Sequence, residues 1–384
     1  MERKHWMDNL RWVTVLLVLF YHVIYFYNNK GVFGGIGGFG DFPECKQYQD
    51  IVMYILYPWF MPILFILAGI SARYSLSPSP SPEGEGSAKT PKEWFKARTR
   101  KLLVPGTIGL FVFHWMVGYF NTAVAARTGV FDGMPAIAKY LMMAVSGTGP
   151  LWFIQVLWLL SLVLLLVRVL DKKDQFWNWC GKANLVVVIL LGVLFWAGEQ
   201  TMIKHPRPES LDGLLNLYKP LFYLVPFLMG YFVFSHDEVQ EKLEKAWIPL
   251  LACAVVAGVE LVVTTFGQDN TSPQYLGSWL NCLYGWLMCL AMMAWFKAKF
   301  NQTGAFAGYM TRNSFGIYIV HYLVIAALGY MMKQYTSLAP WMMYVILFVA
   351  VMTISPLLNE LIKRIPFVRW GVLGMKKTED RSKK

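Results

Sequence analysis

A chain of 384 residues that is 56% hydrophobic and 15% charged, with a mean hydropathy of +0.43, is neither a soluble globular domain, which is roughly a quarter charged, nor a disordered one. The net charge of +12 raises nucleic acid as a partner, but its distribution between successive loops assigns it to membrane orientation instead. The five cysteines, Cys45, Cys180, Cys253, Cys282 and Cys289, form no C-x-x-C pair or metal-ligand spacing, so neither a disulfide framework nor a metal site is expected.

A membrane helix needs roughly 20 mostly apolar residues. Ten segments qualify, at about 10–28, 51–72, 102–121, 150–169, 185–202, 217–234, 247–266, 275–296, 314–332 and 340–362. The expected fold class is all-α, a polytopic integral membrane protein of about ten transmembrane helices, with residues 1–384 forming one domain. The N-terminus imitates a signal peptide, with Arg3 and Lys4 before an apolar stretch. No A-x-A-like cleavage site ends that stretch, so it reads as a retained first helix.

That helix carries Arg11 and His22, eleven residues apart. At 100° per residue they share one face, about 16 Å apart along the axis. Asp8, three residues before Arg11, can pair with it. Ionisable groups inside a bilayer point to function; the alternative is that Arg11 anchors the cytoplasmic end and His22 bonds a neighbouring helix. In the first outer loop GIGGFG (35–40) matches G-x-G-x-x-G, but no strand precedes it, and it reads as a flexible loop. The stretch SPSPSPEGEGSAKTP, 77–91, reads as a flexible cytoplasmic linker.

Next comes KEWFKARTRKLLVPG, with Lys92, Lys96, Arg98, Arg100 and Lys101. Such a border run either binds anionic lipid or clamps phosphates, for which arginine forks are suited. His114 follows in span three. The short apolar segment 134–146 is expected to be interfacial or re-entrant. Span four opens GPLWFIQVLW, with Trp152 and Gln155 in an apolar run; Glu260 lies in span seven; Ser314 and His321 sit two turns apart on one face of span nine. Each polar group alone reads as a helix–helix hydrogen bond. Together they suggest a polar interior. With the N-terminus cytoplasmic, 27 of the 35 Lys and Arg fall in cytoplasmic segments and 8 outside, which places both termini in the cytoplasm.

At these residues the chain resembles the membrane-bound acyltransferase-3 family, whose members O-acylate bacterial surface glycans, including osmoregulated glucans. The most specific element is R-x10-H in the first helix, here Arg11 and His22 in DNLRWVTVLLVLFYH. The segment FMPILFILAGISARY, with Ala68-Gly69, looks like the family's second span. Arg98, Arg100, Lys101 and Pro105 look like its R-x-x-R-L-x-x-P pattern, with lysine at the second arginine, so either Arg100 or Lys101 takes that role. Leu151-Trp152-Phe153 and SFGIYIVH in span nine also look familial.

The resemblance implies acyl transfer from cytoplasmic acyl-CoA, a co-substrate with no tightly bound cofactor, to a carbohydrate hydroxyl reached from the outer side of the plasma (inner) membrane. His22 would be general base or transient acyl carrier, Arg11 would line the donor path, and Asp8 would orient Arg11. Arg98, Arg100 and Lys101 would bind the CoA phosphates; Trp152, Gln155, Ser314 and His321 would belong to the substrate or support shell. The rival reading is a transporter or flippase for a lipid-linked sugar or small anion. A non-catalytic membrane scaffold accounts for Arg11 and His22 least well. The expected partners are acyl-CoA, a carbohydrate acceptor and the lipid bilayer, with no nucleic acid.

Overall fold

A computed structural model describes residues 3–25, 51–76, 90–124, 132–205 and 211–376. Residues 77–89 of the expected linker, the GIGGFG loop and Cys45 lie outside them. The described regular structure is helical throughout, as the apolar runs require, because a helix satisfies its own backbone hydrogen bonds in lipid.

In chain order the helices are α1 His5–Tyr25, α2 Ile51–Leu76, α3 Pro91–Phe120, α4 Ala136–Ser146, α5 Trp152–Leu170, α6 Gln175–Cys180, α7 Leu185–Glu199, α8 Leu211–Tyr218, α9 Pro220–Phe232, α10 Asp237–Lys245, α11 Trp247–Thr265, α12 Trp279–Lys299, α13 Ala305–Tyr335, α14 Pro340–Arg364 and α15 Pro366–Leu373. Among the described residues eight helices are long and apolar enough to span a bilayer, or nine if the bent pair Leu211–Phe232 and Asp237–Lys245 is one span. The all-helical polytopic architecture therefore holds, and two expected spans are altered. The segment at 185–202 forms only Leu185–Glu199, about 22 Å at 1.5 Å per residue, short of a hydrocarbon core of about 30 Å. The segment at 217–234 is broken at Lys219, whose φ of 42° is left-handed. The apolar segment at 134–146 forms the short helix α4.

The chain divides into two compact units. The first comprises Met1–Thr14, Met53–Lys96 and Leu159–Thr311. In it α2 and α9 meet backbone to backbone: a Cβ on Gly69 would lie 2.1 Å from the Phe227 carbonyl oxygen, and one on Gly230 2.1 Å from that of Ile66. Small residues at such crossings let packing contacts drive association where lipid supplies no hydrophobic force. Its buried charged residues, Arg73, Glu199 and Lys219, each meet an opposite charge. The Arg73 guanidinium donates to both Asp174 oxygens at 2.7 and 3.1 Å and lies 3.9 Å from the Trp177 ring centroid. Arg168 reaches the same carboxylate at 2.5 Å. Burial acts to raise the Asp174 carboxyl, but the hydrogen bonds and charges of Arg73 and Arg168 outweigh it and hold it below its ordinary value. Lys219 and Glu199, both buried, pair at 3.7 Å.

The second unit comprises Val15–Val52, Ala97–Trp158 and Arg312–Lys384. Two π-helical turns, Thr99–Leu103 and Leu110–His114, interrupt α3 within it. The C-terminal helix α15 opens with Pro at its first position and ends at a left-handed Gly374, the usual start and stop pair. It packs against the Val104–Gly109 stretch of α3.

Candidate functional site

The residues of the second unit build one deeply buried cluster. His22 comes from α1 and His321 from α13, 299 positions apart in sequence, and both are buried. His321 Nε2 lies 3.0 Å from His22 Nδ1, and His321 Nδ1 lies 2.6 Å from the Tyr318 carbonyl oxygen.

These partners assign the tautomers. A carbonyl oxygen only accepts, so His321 carries its proton on Nδ1 and donates it to Tyr318. A neutral His321 then offers a lone pair at Nε2, and His22 Nδ1 donates to it. The Nε2 atom of His22 is left with its lone pair, as a general base or a nucleophile requires. The orienting group is a backbone carbonyl. Among the described residues no carboxylate hydrogen-bonds either ring.

Aromatic rings wall the pair. Tyr322 stands edge-on to His22 at 5.3 Å between centroids, and Tyr25 does so at 6.5 Å. The Tyr318 hydroxyl donates to the Pro150 carbonyl, which fixes α13 against the turn entering α5.

The other expected residues divide between this unit and the first. Gln155 donates its amide to the Gly106 carbonyl at 2.7 Å and so ties α5 to α3. Trp152, the first residue of α5, is half-buried. Ser314 is buried two turns before His321. Lys101 sits 5.3 Å from the centroid of the Phe315 ring, which brings the basic run beside Ser314. Arg98 and Arg100 flank and enter the π turn at Thr99, and a Cβ on Gly374 would lie 2.4 Å from the Arg100 carbonyl oxygen. The C-terminal helix thus braces the basic run, a role the sequence reading did not assign; Pro366 and Gly374 were the available signals.

Asp8 and Arg11 fall in the first unit. Arg11 donates to Asp8 at 3.0 Å and to Ser71 at 2.9 Å, and Asp8 also receives Arg3 at 2.9 Å. The expected Asp8–Arg11 contact is present. Glu260 departs from the expected polar interior: it lies on the exposed side of α11. No group of three or more metal-ligating side chains is assembled among the described residues.

The acyltransferase-domain family matches residues 4–360. The chain belongs to the acyltransferase-3 family. It is accordingly a membrane O-acyltransferase. Its similar relatives include "Glucans biosynthesis protein C" of Salmonella schwarzengrund, 22% identical over 97% of this chain and 95% of the relative. The proteins of the same name from Salmonella typhi, at 22%, and Escherichia coli O139:H28, at 21%, have the same coverage. No solved structure matches the chain.

Proposed function

We propose that this acyltransferase moves an acetyl or succinyl group from cytoplasmic acyl-CoA to a hydroxyl of a cell-envelope or exported glycan, with His22 Nε2 as the base. The observation that carries the reading is the ordered chain Tyr318 carbonyl, His321, His22, which leaves one aimed lone pair. In the reaction the acceptor hydroxyl oxygen attacks the thioester carbonyl carbon while His22 takes the hydroxyl proton. The carbon–sulfur bond then breaks, and His22 returns the proton to the departing CoA thiolate. General-base help of this kind is worth roughly 10²- to 10⁴-fold.

The other roles follow the charge. Arg98, Arg100 and Lys101 hold the CoA phosphates at the cytoplasmic border. Arg11 lines the donor path, with Asp8 fixing its fork. Ser314, Trp152 and Gln155 form the supporting shell. A glucan is the favoured acceptor, because the similar relatives carry glucan biosynthesis in their name. The 27-to-8 partition of Lys and Arg supports cytoplasmic termini and a plasma (inner) membrane setting.

The test is the purified chain in lipid nanodiscs with labelled acetyl-CoA or succinyl-CoA and short glucose oligomers. Label is expected in the oligosaccharide with one donor. Label remaining on CoA with both donors contradicts the reading, and oligosaccharide uptake into liposomes without acyl-CoA favours transport instead.

A further inference from the structure

His114 is fully buried, with none of its surface reached by solvent. Neither ring nitrogen completes a hydrogen bond. The Gly147 backbone lies near the ring without completing a hydrogen bond to it, so the one N–H of the neutral imidazole stays unspent. A buried polar atom left in this way is costly to keep, and it calls for a functional account.

Three observations place this imidazole with the pair already described. It lies in the same unit and within electrostatic reach of His321. The chain also links them: Gly147, whose Cβ would meet the His114 carbonyl, stands two residues before Gly149, whose Cβ would lie 3.1 Å from the Tyr322 ring beside His22. His114 also closes the π turn Leu110–His114, a device that re-aims side chains and is frequent at functional sites. The turn is clamped from behind. A Cβ on Gly147 would lie 1.9 Å from the His114 carbonyl oxygen, so only glycine permits α4 to close on this backbone.

Resting on the acyl-transfer reading, we propose that His114 is a further catalytic residue, whose ring N–H donates to the thioester carbonyl oxygen as negative charge develops there. His22 takes the proton from the acceptor, and His114 receives the oxyanion. The two histidines thus serve opposite ends of one tetrahedral intermediate. Removing one such donor costs about 10²- to 10³-fold in kcat.

The experiment compares full-length wild type, His114→Leu and His114→Gln in nanodiscs. It measures labelled acyl transfer and, separately, thermal unfolding without any substrate. The expected result is a kcat about 10²-fold lower or worse for His114→Leu with little change in KM for the acceptor, and partial rescue by His114→Gln, which keeps a donor. In the same proteins His114→Leu unfolds at the wild-type temperature or above it, because leucine leaves no unpartnered nitrogen. Wild-type kcat in a folded His114→Leu overturns the inference and leaves acyl transfer standing. A lowered unfolding temperature for His114→Leu overturns it as well, since the ring is then only packing. A wild type that transfers no label fails the acyl-transfer reading itself and takes this inference with it.

Discussion

The two units treat buried polarity in opposite ways. In the first, each buried charge faces an opposite charge: Arg73 and Arg168 share Asp174, and Lys219 meets Glu199. Both non-glycine residues of positive φ among the described residues, Asp174 at 55° and Lys219 at 42°, belong to this unit and to these ion pairs. Backbone strain of that kind costs about 1 to 3 kcal/mol and persists only where surroundings over-determine it. In the second unit the imidazoles of His22, His114 and His321 are buried with no carboxylate partner among the described residues; a backbone carbonyl orients His321, and His321 orients His22. Paired charges hold a structure, whereas an aimed imidazole with a spare lone pair can move a proton.

The contrast can be attacked first where the cost is largest. Lys219→Met strands a buried carboxylate, and such breakage typically costs about 3 to 5 kcal/mol of stability. Adding Glu199→Gln should recover most of that loss in thermal or denaturant unfolding, with acyl transfer by the folded fraction unchanged throughout. A double variant as unstable as the single one would show that the pair is more than a matched charge set.

On the other side, His321→Ala removes the acceptor of His22 Nδ1 and leaves that donor short of a partner. A stranded buried donor costs about 1 to 3 kcal/mol, so kcat should fall roughly 5- to 150-fold. His321→Asn, which can still accept, should lose less. Equal losses for the two would remove the tautomer argument.

A narrower effect is expected at the basic run. Arg100→Ala should raise KM for acyl-CoA about tenfold, near the lower value of a charged hydrogen bond of about 1.5 kcal/mol, with kcat nearly kept. A fall confined to kcat would move Arg100 out of donor binding.

The smallest effect concerns acid. The Asp174 carboxyl is depressed in the folded protein, despite burial, by Arg73 and Arg168. Its contribution is therefore present above the ordinary carboxylate range and is lost as pH falls through the lowered value. Asp174→Asn should flatten the acid limb of the unfolding profile, and an unchanged limb would assign acid sensitivity elsewhere.

Hydropathy made most of the spans and the all-helical class legible, because each long apolar run has one stable state in lipid. It did not reveal the break before α9. Pro220 marks a boundary there, but nothing local marks Lys219 as left-handed, and its ammonium pairs with Glu199, twenty residues earlier. Helical arithmetic put Arg11 and His22 on one face and gave Asp8 its partner. It could not bring His321 to His22, since that contact depends on how α1 and α13 pack. Gln155 was visible as a polar residue in an apolar run, yet only the structure shows its amide donated to Gly106. His114 was visible in the same way, and its distinction from Gln155 lies in the hydrogen bonds it does not make.

The most direct measurement is label transfer from acyl-CoA to glycan by His22→Ala, made on protein whose unfolding temperature matches wild type. Transfer should fall at least about 10²-fold, the lower range for general-base catalysis, while acyl-CoA binding is retained. Transfer within threefold of wild type would contradict the assignment of the chemistry to the His22–His321 pair.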